Sequence, residues 1–165
     1  MIQRLKEAFP DIETNCLKTI TDKHTFVFEA DTVLFVSSKE SWHLHIKNKS
    51  NTEFYFIQND NCVMKAVKGG QCDYVICNNQ NVFFTEVKVA KGNQANHRKD
   101  AYSQLENTFK YYSSLIDFGI LYNLNAVVCF PNKRRIIKAS ASTKRKEFKD
   151  AYKLNLIESN YISFE

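Results

Sequence analysis

The strongest constraint on this chain is a pair of apolar runs, Tyr74 to Cys77 and Val82 to Val89, parted by Asn78-Asn79-Gln80-Asn81. Asparagine clusters between β-branched or aromatic runs are hairpin signals. A loop over residues 78–81 pairs Cys77 with Val82 and Val75 with Phe84, and the same register sets Asp73 opposite Glu86. Opposed residues share a face of the sheet, with Cβ atoms roughly 4.5–5.5 Å apart. Lys88 joins that face by the period of two. The hairpin is therefore expected to bring two carboxylates and one ammonium together at one end.

Facing carboxylates repel, at a cost of roughly 0.2–1 kcal/mol for a cross-strand pair, so this end of the hairpin calls for a counter-charge. A hard divalent cation supplies one, because Mg²⁺ and Mn²⁺ take carboxylates, waters and phosphate oxygens. An ammonium one strand position further on can orient or deprotonate a water, or neutralise charge developing on a phosphate. Glu-x-Lys in a strand most often marks a solvated face. The in-register aspartate is what sets this triplet apart.

The order of these residues, Asp73, a short hairpin, then Glu86-Val87-Lys88, resembles the core of the PD-(D/E)XK nuclease superfamily. Gly69-Gly70 precedes the aspartate, as glycine does in many members, and Ala101-Tyr102-Ser103-Gln104-Leu105-Glu106-Asn107-Thr108 looks like the helix after the third core strand, where a glutamine often faces the site. Cys72 stands where the name-giving proline would. The resemblance covers about residues 62–130. It implies an α/β fold with a central mixed β-sheet flanked by helices and a restriction-endonuclease-like core. Residues 24–58 would form an inserted β-rich N-terminal region, and 131–165 a basic C-terminal segment of one domain. It further implies Mg²⁺ or Mn²⁺ held by Asp73, Glu86 and the backbone carbonyl of Val87, with Lys88 and Gln104 completing a catalytic set that hydrolyses DNA or RNA. An additional acidic ligand on an N-terminal helix, Glu7 or Glu13, is a further option. A catalytically silent subunit of a nuclease assembly and a dimeric junction resolvase remain alternatives.

Composition bounds the reading without deciding it. The 165 residues carry 44% hydrophobic and 13% aromatic side chains, enough for a buried core. A net charge of +5 permits a polyanionic partner. Five cysteines without a CxxC pair offer no zinc pattern, and an odd count with no signal peptide reads as reduced thiols in the cytoplasm. The apolar runs fall far short of the ~20 residues that span a bilayer, so no membrane association is expected.

Along the chain, apolar spacing from Ile2 to Ile20, interrupted at Phe9-Pro10, predicts two short helices. His24 to Ala30 and Thr32 to Ser37 predict a first hairpin, and Trp42, Leu44 and Ile46 a strand whose His43 and His45 face the other way. That histidine pair suits a transition metal, yet a polar strand face explains it as well. Phe54 to Gln58 and Cys62 to Val67 predict strands about the turn Asn59-Asp60-Asn61. Residues 90–98 read as a loop whose Lys91 and Arg98 can meet phosphates. An apolar stripe of Ala101, Leu105, Phe109, Tyr112 and Ile116 predicts a helix, and Asn125 to Phe130 a strand parallel to the catalytic one. Seven cations fall in fourteen positions, Lys133, Arg134, Arg135, Lys138, Lys144, Arg145 and Lys146, a charge run suited to a nucleic-acid backbone. A helix is expected to begin near Thr143, and Leu154 to Phe164 to add an edge strand.

Overall fold

A computed structural model describes residues 1–30, 32–49, 51–89, 94–131 and 140–165, leaving aside the side chains of 140 and 141. Phe9-Pro10 separates α1 (Ile2–Ala8) from α2 (Ile12–Asn15), as the proline requires. Strands β1 (Leu17–Ile20), β2 (His24–Phe28), β3 (Leu34–Val36), β4 (Leu44–Asn48) and β5 (Phe54–Gln58) follow. Next come β6 (Tyr74–Cys77), β7 (Asn81–Val87), α3 (Gln94–Leu115), β8 (Asn123–Cys129), α4 (Ser140–Tyr152), β9 (Asn155–Glu158) and β10 (Tyr161–Phe164).

The strands form two mixed sheets rather than one. The first runs β1-β5-β6-β7-β8-β9 and the second β10-β4-β2-β3. In the first, β1, β5, β6 and β7 pair antiparallel, whereas β7, β8 and β9 are parallel. The C-terminal segment expected as one edge strand is two: β9 closes the first sheet, and β10 lies parallel to β4 at the edge of the second.

Each face of the first sheet has its own cover. Val75, Cys77, Val82 and Phe84 point to the helices, packing with Leu5, Leu105, Tyr112 and Phe148. Tyr74, Ile76, Phe83 and Val87 point the opposite way and meet Val27, Leu44, Ile46, Ile162 and Phe164 of the second sheet. Such two-sided burial is why β6 and β7 read as near-continuous apolar runs. Phe84 stands edge-on to Phe109, Tyr112 and Phe118 at 5.7–6.1 Å between centroids, fixing α3 over β7.

Further expectations need correction. The helical spacing expected to run to Ile20 stops at Asn15, and Leu17–Ile20 is instead β1, paired with β5. Cys62 to Val67 is not a strand: a compact turn occupies Asn59–Val63, with Asn61 at φ 56°, and Met64 is buried beyond it. Asparagine tolerates that left-handed backbone, and the buried Asn59 amide stabilises the turn by donating to Cys72 O at 2.8 Å while accepting from the Tyr112 hydroxyl at 3.0 Å. Nor are all five thiols reduced. Cys16 and Cys62 form a disulfide that ties the end of α2 to this turn, while Cys72, Cys77 and Cys129 are free and buried. The thiol count thus gives no ground for a cytoplasmic location. Among the described residues no helix is long and apolar enough to cross a membrane.

Alkylation of the denatured protein should find three thiols before reduction and five after it. Closing 46 residues of chain contributes about 4 kcal/mol in the chain-entropy account, so Cys62→Ser should lower the melting temperature by several degrees. Five reactive thiols without reductant would contradict the pairing.

Candidate active site

The hairpin has the register anticipated from its loop length: Cys77 faces Val82, Val75 faces Phe84, and Tyr74 opposite Thr85 is the last ladder pair. The next position in each strand belongs to Asp73 and Glu86. Backbone groups on both sides hold Asp73. Its Oδ2 accepts from Val87 N at 2.6 Å, and its carbonyl accepts from Asn59 N at 2.8 Å. The turn after β5, which begins at Asn59 as expected, is therefore what clamps the aspartate.

Glu86 shares the helix-facing side of β7 with Val82 and Phe84 and is only 2% exposed. Lys88 Nζ lies 2.5 Å from Glu86 Oε1 and donates to Gln104 Oε1 at 2.6 Å. Gln104 Nε2 in turn donates to Gln71 O at 3.1 Å, so α3 and the segment before β6 orient the amide together. The glycine pair makes this approach possible. A Cβ on Gly70 would sit 2.8 Å from Gln104 Cγ, and one on Gly69, at φ +100°, would lie 2.9 Å from Asn107 Nδ2.

Burial raises both carboxyls above their ordinary values. Desolvation, then the neighbouring Asp73 charge, takes Glu86 to about 8 despite the Lys88 ammonium. Desolvation also takes Asp73 to about 6, against the opposing pull of the Val87 hydrogen bond. Glu86 Oε2 is buried without a hydrogen-bond partner. An orphaned carboxylate oxygen beside a second carboxyl suits a hard, oxygen-binding cation. Asp73, Glu86 and the Val87 carbonyl are the donors available to it. Among the described residues no group of three or more His, Cys, Asp or Glu side chains could hold a metal ion.

Two carboxylates near Asp73 were missed in the sequence. Glu29, just after β2 in the second sheet, and Asp60 of the turn line a cavity of about 270 Å³ together with Gln58, Asn61, Asp73 and Tyr74. Desolvation, then Asp73 and Asp60, raises Glu29 to about 7. No spacing signal links residues 29, 60 and 73, because they come from separate elements.

The N-terminal acids do not join the site. Glu7 accepts from Gln3 and lies beside Leu115 and Asp117, roughly 16 Å along α3 from Gln104 at 1.5 Å per residue, and Glu13 pairs with Lys6. Arg98 is not in a loop but in α3, where its Nε donates to Glu158 at 2.9 Å, with the Tyr102 hydroxyl donating to the same oxygen at 3.0 Å. On α4, Lys144 pairs with Glu147, Arg145 donates to Leu156 O at 3.2 Å, and Lys146 is exposed. Lys91, Lys133, Arg134 and Arg135 lie outside the described residues. Comparison with family models, with curated proteins and with solved structures finds no match to this chain.

The raised carboxyls set a pH dependence. The folded protein holds these protons more tightly than the unfolded chain, whose Glu values lie near 4.5, so the pair's stabilisation is full at low pH. It is lost as pH rises through about 6 for Asp73 and about 8 for Glu86. In chelator, the melting temperature should therefore fall from about pH 5 to about pH 9, each proton contributing at most about 1.4 kcal/mol per pH unit. Glu86→Gln should flatten the upper part of that curve. A wild-type profile rising with pH would contradict the buried protonated pair.

Proposed function

We propose that this chain is a Mg²⁺- or Mn²⁺-dependent phosphodiesterase acting on nucleic acid, DNA or RNA. The observation that carries the reading is the placing of Asp73 and Glu86 one position beyond the last ladder pair, with Asp73 bonded to Val87 N and Lys88 held between Glu86 and Gln104. The local order, an antiparallel β6-β7 hairpin followed by α3 and a parallel β8, is the arrangement that the resemblance to PD-(D/E)XK nucleases implies, and it supports the same reading. We include a restriction-endonuclease-like core in the proposal on that ground.

Asp73, Glu86 and the Val87 carbonyl would hold the cation, which would supply electrostatic stabilisation of the negative charge that builds on the phosphate as water attacks. The chain's own residues do the positioning. A lysine ammonium has three donors, and among the described residues two are directed at Glu86 and Gln104. The third is free for a non-bridging phosphate oxygen or the attacking water. Gln104, pinned through its Nε2 to Gln71, restricts the rotation of Lys88 and so pre-pays the ordering that the reaction needs. Lys146 and Arg98, with Lys91, Lys133, Arg134, Arg135, Lys144 and Arg145, are the cations we assign to the nucleic-acid backbone. Where they already have internal partners, as Lys144, Arg145 and Arg98 do, binding would require exchange.

Purified protein should cleave labelled DNA or RNA with Mg²⁺ or Mn²⁺ and lose that activity in EDTA. Lys88→Ala should lower kcat at least about 100-fold with KM little changed, since the lysine acts at the reacting phosphate. Cleavage undiminished in Lys88→Ala would overturn the site. Independently of turnover, saturating Mn²⁺ should raise the melting temperature, a ligand at ~100 times its Kd adding about 2.7 kcal/mol. Asp73→Asn should lose most of that increment, whereas an equal response from both proteins would remove Asp73 from the cation site.

A further inference from the structure

The second sheet has an outer face that no element of the described residues covers, and its composition is unusual. Looking across the strands, Tyr161 of β10, His45 of β4, Phe26 of β2 and Val36 of β3 fall in one row. The rings in this row are in contact: His45 lies parallel to Phe26 at 4.4 Å between centroids and edge-on to Tyr161 at 5.3 Å. Trp42, expected on the face opposite the histidines, precedes β4 and is freed from its alternation, closing over the same group 5.5 Å from Phe26 and 5.9 Å from His45. A neighbouring row adds His24 and Lys47, with His24 and His45 joined by a 3.0 Å hydrogen bond between ring nitrogens. On the other side, Phe28 stacks on His43 at 4.3 Å.

A strand face open to water is ordinarily lined with polar and charged residues of both signs. This one presents planar rings instead. None of the outward positions of the four strands carries a carboxylate, and Lys47 adds a cation. Tyr161, at 41% exposure, stands at the open edge of the ring cluster. Interlocked rings at a sheet surface, with Lys47 beside them and the carboxylate just beyond β10, Glu165, already paired with Lys49, match a ligand built of flat apolar rings on an anionic backbone. We propose that the outer face of the β10-β4-β2-β3 sheet is a stacking platform for the unpaired bases of single-stranded nucleic acid.

Two further points bear on that ligand. Unpaired bases expose π-faces that aromatic side chains can stack upon whatever the sequence, while the bases of a duplex are already stacked on one another. The platform also leads toward the candidate active site. Phe28 and His43 lie at its end, His43 Nδ1 accepts from Glu29 N at 2.9 Å, and Glu29 lines the cavity that it shares with Asp73. A strand lying on the face therefore continues over the lip of the two sheets to the carboxylates. The choice of a nucleic acid rather than another ring-bearing polyanion rests on the phosphodiesterase reading above, and the two are separable by experiment.

Trp42 is the chain's one tryptophan and sits in the platform, so its fluorescence reports on this surface. Protein kept in EDTA should be titrated with labelled oligothymidylate, with oligouridylate and with a duplex of the same length, reading both Trp42 quenching and label anisotropy. Single strands should quench Trp42 and bind tighter than the duplex, and Tyr161→Ala should weaken them roughly tenfold without changing the circular dichroism. Equal affinity for duplex and single strand, or unchanged binding by Tyr161→Ala, would overturn the platform. So would a Trp42 signal that follows protein concentration alone while the sedimenting mass doubles, since that assigns the face to a second copy. Cleavage without single-strand binding would sink the platform and spare the phosphodiesterase. Binding without cleavage under any metal would do the reverse.

Discussion

A carboxylate with almost no access to water is the constraint on which the rest of this structure turns. Ionised and unpaired, Glu86 would be costly at its depth, and the surrounding architecture can be read as the means of tolerating it. Lys88 supplies the opposite charge two residues on, Gln104 holds the lysine in place, and Gln71 holds the glutamine. Each link draws in another element, from β7 to α3 to the segment before β6. Glu86 Oε2, left without a partner among the described residues, marks where the compensation stops short. Buried polar groups lacking partners are uncommon in folded proteins and concentrate where a ligand completes the set.

The same demand explains the glycine pair and the turn after β5. Gln104 reaches Lys88 only if α3 lies against the chain at residues 69–71, and any side chain at Gly70 would collide with Gln104 Cγ. Asn59 serves the other flank. Its buried side chain joins Cys72 O to Tyr112, and its backbone N–H takes the Asp73 carbonyl, so the aspartate is positioned by the helix layer through an intermediary. On the reverse face, the second sheet buries Val87 and Tyr74 and so excludes water from behind the hairpin. The two effects oppose each other at the Asp73 and Glu86 carboxyls: removing solvent raises both, while Lys88 and the Val87 N–H pull them part of the way back.

Much of the hairpin was legible because its determinants are local. Loop length and the period of two specify the pairing of Cys77 with Val82 and Val75 with Phe84, and a slip of one residue would turn Phe84 and Glu86 to the wrong face. The stripe from Ala101 to Ile116 likewise announces α3, although the helix begins earlier, at Gln94. Cys62 to Val67 misled because an apolar run has no periodicity that separates a strand from a chain wrapped over a core. The turn chemistry of Asn59, Asp60 and Asn61 prevailed there, with Met64 buried as a plug. The cysteines misled for a different reason: Cys16 and Cys62 meet only because α2 and the turn pack together.

By itself the sequence determined the elements whose residues are neighbours in the chain: the short helices about Pro10, the hairpin and its register, the long helix, the parallel strand after it, and hence the meeting of Glu86 and Lys88. Tertiary structure decided everything assembled from distant segments. It split the strands into two sheets, carried Gln104 to Lys88, set Glu29 and Asp60 beside Asp73, bonded Cys16 to Cys62, and built one aromatic face from residues 24–28, 42–48 and 161. The physical reason is the range of the forces involved. Backbone sterics and side-chain periodicity act over a few residues, whereas which buried faces pair depends on total apolar area and shape, properties that no short stretch of chain possesses.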